Sequence, residues 1–170
     1  TNSGYPLDQN LYQTVKGMSA AAQIVRQGGA IISASECSDG VPDHGNYAKI
    51  LKMRETAGEL LEMICEPQFR LFDQWQVQVQ AMVQLKAACY LFSTLDPEIV
   101  RNAKFTPIQG VEETLGQLCR QIGPQVRVVV GFPDLFRLAQ RRRAGHMPGF
   151  ARQDGAGRFS EQLRQSVLQP

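Results

Sequence analysis

Hydrophobic residues recur at helical spacing near the start of the chain. The stripe consists of Leu11, Val15, Met18, Ala22 and Val25. At about 100° of rotation per residue these positions share one side of a helix, which predicts a helix over residues 10–27 with a core-facing stripe. Asp8 or Asn10 is the candidate N-cap, and the Gly28-Gly29 pair is the candidate stop signal.

The same period predicts further helices, one of which competes with a strand. Residues 47–64 carry apolar positions at helical spacing, with a break expected near Gly58. Residues 75–85 alternate apolar residues with glutamines, as strands do, but their length and residue types favour a helix. Shorter helices are predicted over residues 96–102 and 111–122. The second is expected to turn inward Val111, Leu115, Leu118 and Ile122.

Short apolar runs between these helices predict strands. They are residues 30–35, 89–93, 104–106 and 126–130, and the last, bounded by Pro124 and Gly131, is the clearest. Strands separated by helices favour an α/β fold with three layers, in which helices flank a mostly parallel sheet. In such sheets ligands collect beyond the carboxyl ends of the strands. The loop before the first helix therefore becomes a place to look for a site.

Composition agrees with one ordinary globular domain and a different final segment. The chain has 170 residues, 43% of them hydrophobic, and a formal net charge of +2. That charge does not by itself argue for nucleic acid or an anionic membrane, and no apolar run is long enough to span a bilayer. Residues 134–170 are rich in Gly and Arg and predict a poorly packed tail. Its Arg141-Arg142-Arg143 run could contact phosphate, although a solvated charge run is the more usual case.

Cysteine and histidine content restricts the possible chemistry. The four cysteines form no CxxC pair, which favours scattered buried thiols in the cytoplasm over disulfides. With only His44 and His146, the chain alone cannot build a histidine-rich metal site. Dinucleotide, phosphate-loop and nucleophile-elbow motifs are all missing from the sequence.

The polar face of the first helix carries the most suggestive chemistry. Tyr12, Gln13 and Lys16 lie on one side of it, at about 100° to 200° from Leu11. A phenol, an amide and an ammonium at the start of a helix make a candidate receptor for a small anion. The simpler interpretation, that Gln13 and Lys16 form the solvated face of an amphipathic helix, fits the same spacing.

Three segments resemble the C-terminal domain of the nickel-pincer-dependent lactate racemase family. The opening TNSGYPLDQNLYQTVKGM is similar to the start of that domain. GGAIISASECSDG, residues 28–40, resembles its Gly-Gly strand followed by a Glu and an Asp-Gly loop. DQWQ, residues 73–76, resembles the start of its Trp-containing helix. The resemblance implies a family α/β domain over residues 1–133, with residues 134–170 outside the family pattern.

The resemblance also implies an activity. Family members interconvert the stereoisomers of 2-hydroxy acids by hydride transfer to a nickel-pincer nucleotide. Their catalytic histidines, nickel ligand and cofactor-linked lysine belong mostly to an N-terminal domain that this sequence lacks. The implied partners are a small 2-hydroxy acid and that N-terminal domain, with neither membrane nor nucleic acid. We therefore expect no catalytic or metal-ligating residue here, and an isolated chain that is inactive.

Four residues are implied to line the substrate site between the two domains. They are Tyr12, Gln13, Lys16 and Trp75. A single Trp in a helix is more commonly a core residue, and His44, Glu36 and Asp39 are read as ordinary loop residues. The alternative function is a stand-alone module that holds a small anion without catalysis.

Overall fold

The computed structural model describes residues 1–131, and the tail predicted for residues 134–170 lies outside that range. The elements, in chain order, are α1 (Leu11–Ala22), β1 (Gly29–Ala34), α2 (Tyr47–Leu51), α3 (Ala57–Cys65), α4 (Gln74–Lys86), β2 (Ala87–Phe92), α5 (Pro97–Asn102), β3 (Thr106–Pro107) and α6 (Val111–Ile122).

The sheet is parallel, with strand order β1-β2-β3. Ile31 of β1 lies beside Cys89 of β2, and Ser33 lies beside Leu91. All four side chains are buried, so they define the face of the sheet on which the main core is built. Residues 1–131 contribute six helices to this parallel sheet, so the predicted three-layer α/β class is confirmed.

Helices α1 and α4 pack against each other and supply much of the core. The predicted stripe is confirmed for Leu11, Val15, Met18 and Ala22, which are all buried, whereas Val25 lies beyond the end of α1 and is half-buried. The competition at residues 75–85 is resolved in favour of the helix. Its glutamines explain the ambiguous pattern, since Gln76 and Gln80 are as buried as the apolar residues around them.

Local signals set most of the helix boundaries. Asn10 is the N-cap of α1, and its side chain accepts a hydrogen bond from the Gln13 N–H at 3.0 Å. Thr56 and Glu59 form a complete capping box at the start of α3. The break expected near Gly58 therefore falls earlier, between Leu51 and Ala57.

Two predictions for the end of the domain are wrong. Residues 126–130 form no strand, and Val128, Val129 and Val130 are 43–46% exposed. A strand needs a neighbouring ladder as well as β-branched side chains, and this run pairs with none of β1, β2 or β3. Helix α6 forms where predicted, but none of its residues is buried. Of the side chains expected to turn inward, Val111, Leu115 and Leu118 are half-buried and Ile122 is exposed.

Smaller differences concern α1, β3 and the cysteines. Helix α1 ends at Ala22 and is followed by turns, so it is shorter than the predicted 10–27. The brief strand expected over residues 104–106 is observed as Thr106–Pro107. All four cysteines are free, yet only Cys37 and Cys89 are buried.

The buried amide of Gln80 should be essential for stability. It accepts the Tyr47 hydroxyl and donates to the Ala103 carbonyl at 2.8 Å. Gln80→Ala leaves the buried Tyr47 hydroxyl without its acceptor, removes one of the two hydrogen bonds to the Ala103 carbonyl and opens a cavity, so we expect a loss of about 2–4 kcal/mol in the free energy of unfolding. Urea denaturation followed by circular dichroism measures this. Gln121→Ala, at an exposed position of α6, should stay within about 0.5 kcal/mol, and equal losses would contradict the assignment.

Candidate functional site

The N-terminus of α1 is fixed to the carboxyl end of β1 by backbone hydrogen bonds. The Cys37 N–H donates to the Asp8 carbonyl at 2.9 Å, and the Asp39 N–H donates to the Gln9 carbonyl at 2.7 Å. The Leu11 N–H in turn donates to the Gly40 carbonyl at 3.1 Å. The opening turn and the loop after β1 therefore support each other. This places the start of α1 at the sheet edge where α/β proteins collect ligands.

The sequence-predicted residues lie around the exposed rim of this contact. Tyr12 and Gln13 are half-buried, and Lys16 is exposed one turn further along α1. Trp75, in the first turn of α4, is 52% exposed and so is not a core residue. The rings of Tyr12 and Trp75 meet edge to face, with centroids 6.1 Å apart and planes at 88°. The packing of α1 on α4 thus brings together two of the four side chains directly.

Lys16 and Gln13 have unused bonding capacity. The Lys16 ammonium makes no ion pair or hydrogen bond with any residue between 1 and 131. The Gln13 side-chain oxygen is buried and has no hydrogen-bond donor within that same part of the chain. An unpaired buried carbonyl oxygen costs about 1–3 kcal/mol. A ligand that donates a hydrogen bond to Gln13 would remove that cost.

Tyr12 is held more firmly than its neighbours on the rim. Its backbone carbonyl accepts a hydrogen bond from the Gln76 side chain at 2.6 Å. Its ring contacts that of the buried Tyr47, with centroids 5.2 Å apart. Burial raises the pKa of the Tyr12 phenol, and the negative charge of Asp73 raises it further. The phenol is therefore a neutral group of fixed orientation.

Asp73, Gln76 and Tyr47 are site-supporting residues that the sequence interpretation missed. The N-cap position of Asp73, directly before the predicted helix, was an available signal. The burial of Gln76 and Tyr47 against α1 depends on contacts between distant segments, which periodicity does not report. By contrast, the loop residues His44, Glu36 and Asp39 are exposed.

Within residues 1–131 no three His, Cys, Asp or Glu side chains are grouped so that they could hold a metal ion. The exposed rim at the start of α1 instead offers one cation, an amide oxygen and two aromatic rings. That set suits an organic anion carrying a hydrogen-bond donor.

Raised tyrosine pKa values predict a loss of stability in alkali. Burial raises the pKa of Tyr47 well above its ordinary value, and the pKa of Tyr12 is raised as described. The unfolded chain therefore releases these protons first, so the stabilisation is complete below pH of about 10 and is lost as pH rises further. In urea unfolding experiments from pH 8 upward, the urea concentration at the midpoint of unfolding should fall as the pH rises. Tyr12→Phe should flatten the fall, whereas Tyr5→Phe, at a side chain 83% exposed, should not. Identical slopes for the two variants would contradict the role given to Tyr12.

Comparison with known proteins agrees with this architecture. Residues 1–134 match the family model for the lactate racemase C-terminal domain. Lactate racemase from Lactiplantibacillus plantarum is 32% identical over 136 residues, which are 79% of this chain and 32% of that protein. Lactate racemase from Thermoanaerobacterium thermosaccharolyticum is 32% identical over 117 residues, which are 68% of this chain and 28% of that protein.

A solved structure gives the same result in three dimensions. The lactate racemase apoprotein from Thermoanaerobacterium thermosaccharolyticum superposes with a TM-score of 0.70 at 29% identity, covering 79% of this chain and 33% of that chain. The chain thus spans about a third of the length of its relatives. None of the helices between residues 1 and 131 has the length and apolarity that a bilayer crossing demands. By sequence and by fold, this chain belongs to the lactate racemase C-terminal domain family.

Proposed function

We propose that this chain is the C-terminal domain of a 2-hydroxy acid racemase or epimerase that depends on a nickel-pincer nucleotide. In this proposal Tyr12, Gln13, Lys16 and Trp75 form one wall of the substrate cleft. The observation that carries the proposal is that the first half of α1 presents an exposed Lys16 ammonium and, one turn away, a Gln13 oxygen, neither of them with a partner among residues 1–131. Membership of the lactate racemase family supplies the substrate class.

Lys16 is proposed to bind the substrate carboxylate. Its side chain is exposed and has no acidic partner in the described part of the chain, so its charge is available to a ligand. A charge-assisted hydrogen bond to a carboxylate would hold the acid group at this end of the cleft.

Gln13 is proposed to accept a hydrogen bond from the substrate, and the two rings are proposed to shield the reacting carbon. The hydroxyl of a 2-hydroxy acid is the donor that the buried Gln13 oxygen lacks. Tyr12 and Trp75 present apolar surfaces set at right angles to each other. Such a wall would exclude water from a hydride transfer, which water would otherwise compromise.

The nickel ion does not fit the residues described here, because they group no metal ligands. We therefore assign the cofactor and the acid-base groups to the remaining two thirds of the protein, by analogy with the longer relatives. In the proposed enzyme the cofactor supplies the hydride acceptor, and this chain contributes binding and orientation. The working unit is then residues 1–133 together with an N-terminal domain, in the cytoplasm.

A stand-alone anion-binding module is the second candidate. The exposed Lys16 and the unpaired Gln13 oxygen require a ligand but no reaction, so the same two observations are compatible with it. The two candidates differ in the complete protein. The enzyme would racemise a single enantiomer of a 2-hydroxy acid such as lactate, whereas the module would bind it unchanged.

Substitution of Lys16 tests the proposal. In the complete protein loaded with cofactor, Lys16→Ala should lower kcat/KM for racemisation about ten- to hundredfold, the range for loss of one charge-assisted hydrogen bond. Lys49→Ala removes another exposed lysine, on α2, and should leave kcat/KM unchanged. Chiral chromatography of the product mixture measures both rates. Equal activity of the two variants would refute the assignment of Lys16.

A further inference from the structure

One edge of β1 is hydrogen-bonded by the opening residue of the chain. The Thr1 amino group donates to the Ile32 carbonyl at 2.6 Å, and the Thr1 carbonyl accepts the Ala34 N–H at 3.0 Å. Two bonds from one residue to the two neighbours of a single position are the pattern of a parallel ladder. Thr1 therefore lies opposite Ser33 and runs in the same direction as β1.

The rest of this edge has no backbone partner within residues 1–131. The Ser35 N–H donates to the Phe92 carbonyl of β2 at 3.0 Å, so the odd-numbered residues of β1 face β2 and the even-numbered residues face Thr1. Apart from the bond between Thr1 and the Ile32 carbonyl, the backbone groups of Ala30 and Ile32 are unpaired on this side in the described chain. A strand edge of this kind is a template for a further strand.

A second segment contacts the opening residues from the other side. The Asn2 N–H, which points away from β1, donates to the Gly131 carbonyl at 3.3 Å. The three valines before Gly131, residues 128–130, have side chains that are 43–46% exposed, although valine has a high strand propensity. Residues 1 and 2 thus lie between β1 and the end of this run, with a backbone hydrogen bond to each.

We propose that the polypeptide immediately before Thr1 in the complete protein forms a parallel strand between β1 and residues 126–130. This inference rests on the proposed function, in which an N-terminal domain leads into Thr1. Because Thr1 runs parallel to β1, the residues before it are directed along the edge that carries Ala30 and Ile32. The second residue before Thr1 would lie opposite Ile31, accept the Ile32 N–H and donate to the Ala30 carbonyl. The sheet order would then be residues 126–130, the new strand, β1, β2 and β3.

Covalent attachment and burial both favour this occupant. A segment joined to Thr1 is present at the edge at an effective concentration in about the millimolar range, which a free partner rarely reaches. Burial lowers the pKa of the Thr1 amino group to about 6, because its charge is disfavoured there. A peptide N–H at the same place would make the bond to the Ile32 carbonyl without any charge.

The proposed strand would connect the N-terminal domain rigidly to the candidate site. It leads through residues 1–3 into the turn at residues 4–8, which directly precedes α1. A strand that is hydrogen-bonded along both edges moves less than a single flexible linker does. The side chains at the start of α1 would therefore keep a fixed position relative to the N-terminal domain, as a substrate cleft between the two domains requires.

Hydrogen exchange measured by mass spectrometry tests the inference without any activity assay. In the complete protein, the Ile32 and Val129 amides should exchange within about tenfold of the rate of the Ser33 amide, which faces β2. In the 170-residue chain the same two amides should exchange at least about a hundredfold faster than that of Ser33. Their protection in the 170-residue chain would assign the edge to residues 132–170 or, where it rises with protein concentration, to a second copy. Either result would overturn the proposal.

Two proline variants of the complete protein form a matched pair. The Gly131 carbonyl faces Asn2, so the backbone groups of Val129 face the proposed strand and those of Val128 face away from it. Val129→Pro removes a ladder donor and should raise the exchange rate of the Gly131 amide at least about tenfold. Val128→Pro, at a side chain of similar exposure, should change that rate by less than about threefold, because an outward N–H on an edge strand is dispensable. Equal effects of the two prolines would contradict the strand.

The strand and the proposed function fail in different ways. An active racemase whose Ile32 and Val129 amides exchange as fast in the complete protein as in the 170-residue chain would overturn the strand alone. A complete protein that protects both amides but neither binds nor racemises lactate would overturn the proposed function and leave the strand in place.

Discussion

The contact between α1 and α4 is the constraint on which the candidate site depends. Leu11 and Val15 of α1 and Val77 of α4 are buried in one core, so the two helices cannot separate without exposing it. The Gln76 side chain then binds the Tyr12 carbonyl across the interface. Apolar packing holds α1 against α4. The directional hydrogen bond from Gln76 selects the helix register that places Trp75 against Tyr12.

Buried glutamines make α4 unusual and connect the site to the rest of the domain. Gln76, Gln80 and Gln84 lie one turn apart, and each donates to a backbone carbonyl outside the helix. The bonds reach α1 and the segment that follows α5. The Ala103 and Lys104 carbonyls lie just past the end of α5, where helix carbonyls lack an intrahelical donor, whereas the Tyr12 carbonyl lies in the first turn of α1 and accepts the Gln76 amide as an additional bond. The glutamine-bearing side of α4 therefore also helps to orient the exposed residues at the start of α1.

Sequence patterns predicted the elements that are determined locally. Most of the α1 stripe, the bounds of α6 and the pair of candidate caps, Asp8 and Asn10, followed from periodicity and capping chemistry, and Asn10 is the observed cap. The run at residues 126–130 has strong β propensity but no pairing partner within the described chain, so propensity alone misled. The predicted burial of α6 was wrong for a related reason. The helical period shows which side chains share one face, but it does not show whether another element packs against that face.

The site was predictable only in part. Spacing grouped Tyr12, Gln13 and Lys16, whereas Trp75 came from the family resemblance, since nothing local distinguishes it from a core tryptophan. The enclosure of Asp73 depends on Gly45 and Asn46, which are distant in sequence, and no periodic signal carries such a contact. Buried polar groups are the features that sequence pattern reports least well, because each requires one specific distant partner.

The most direct test of the whole account is a crystal structure of the complete protein with a bound 2-hydroxy acid. We expect the ligand carboxylate within about 3 Å of the Lys16 ammonium, and its hydroxyl directed at the Gln13 oxygen. Trp75 should cover the second carbon. A ligand bound elsewhere, or a carboxylate held only by residues outside this chain while Lys16 faces solvent, would contradict the account.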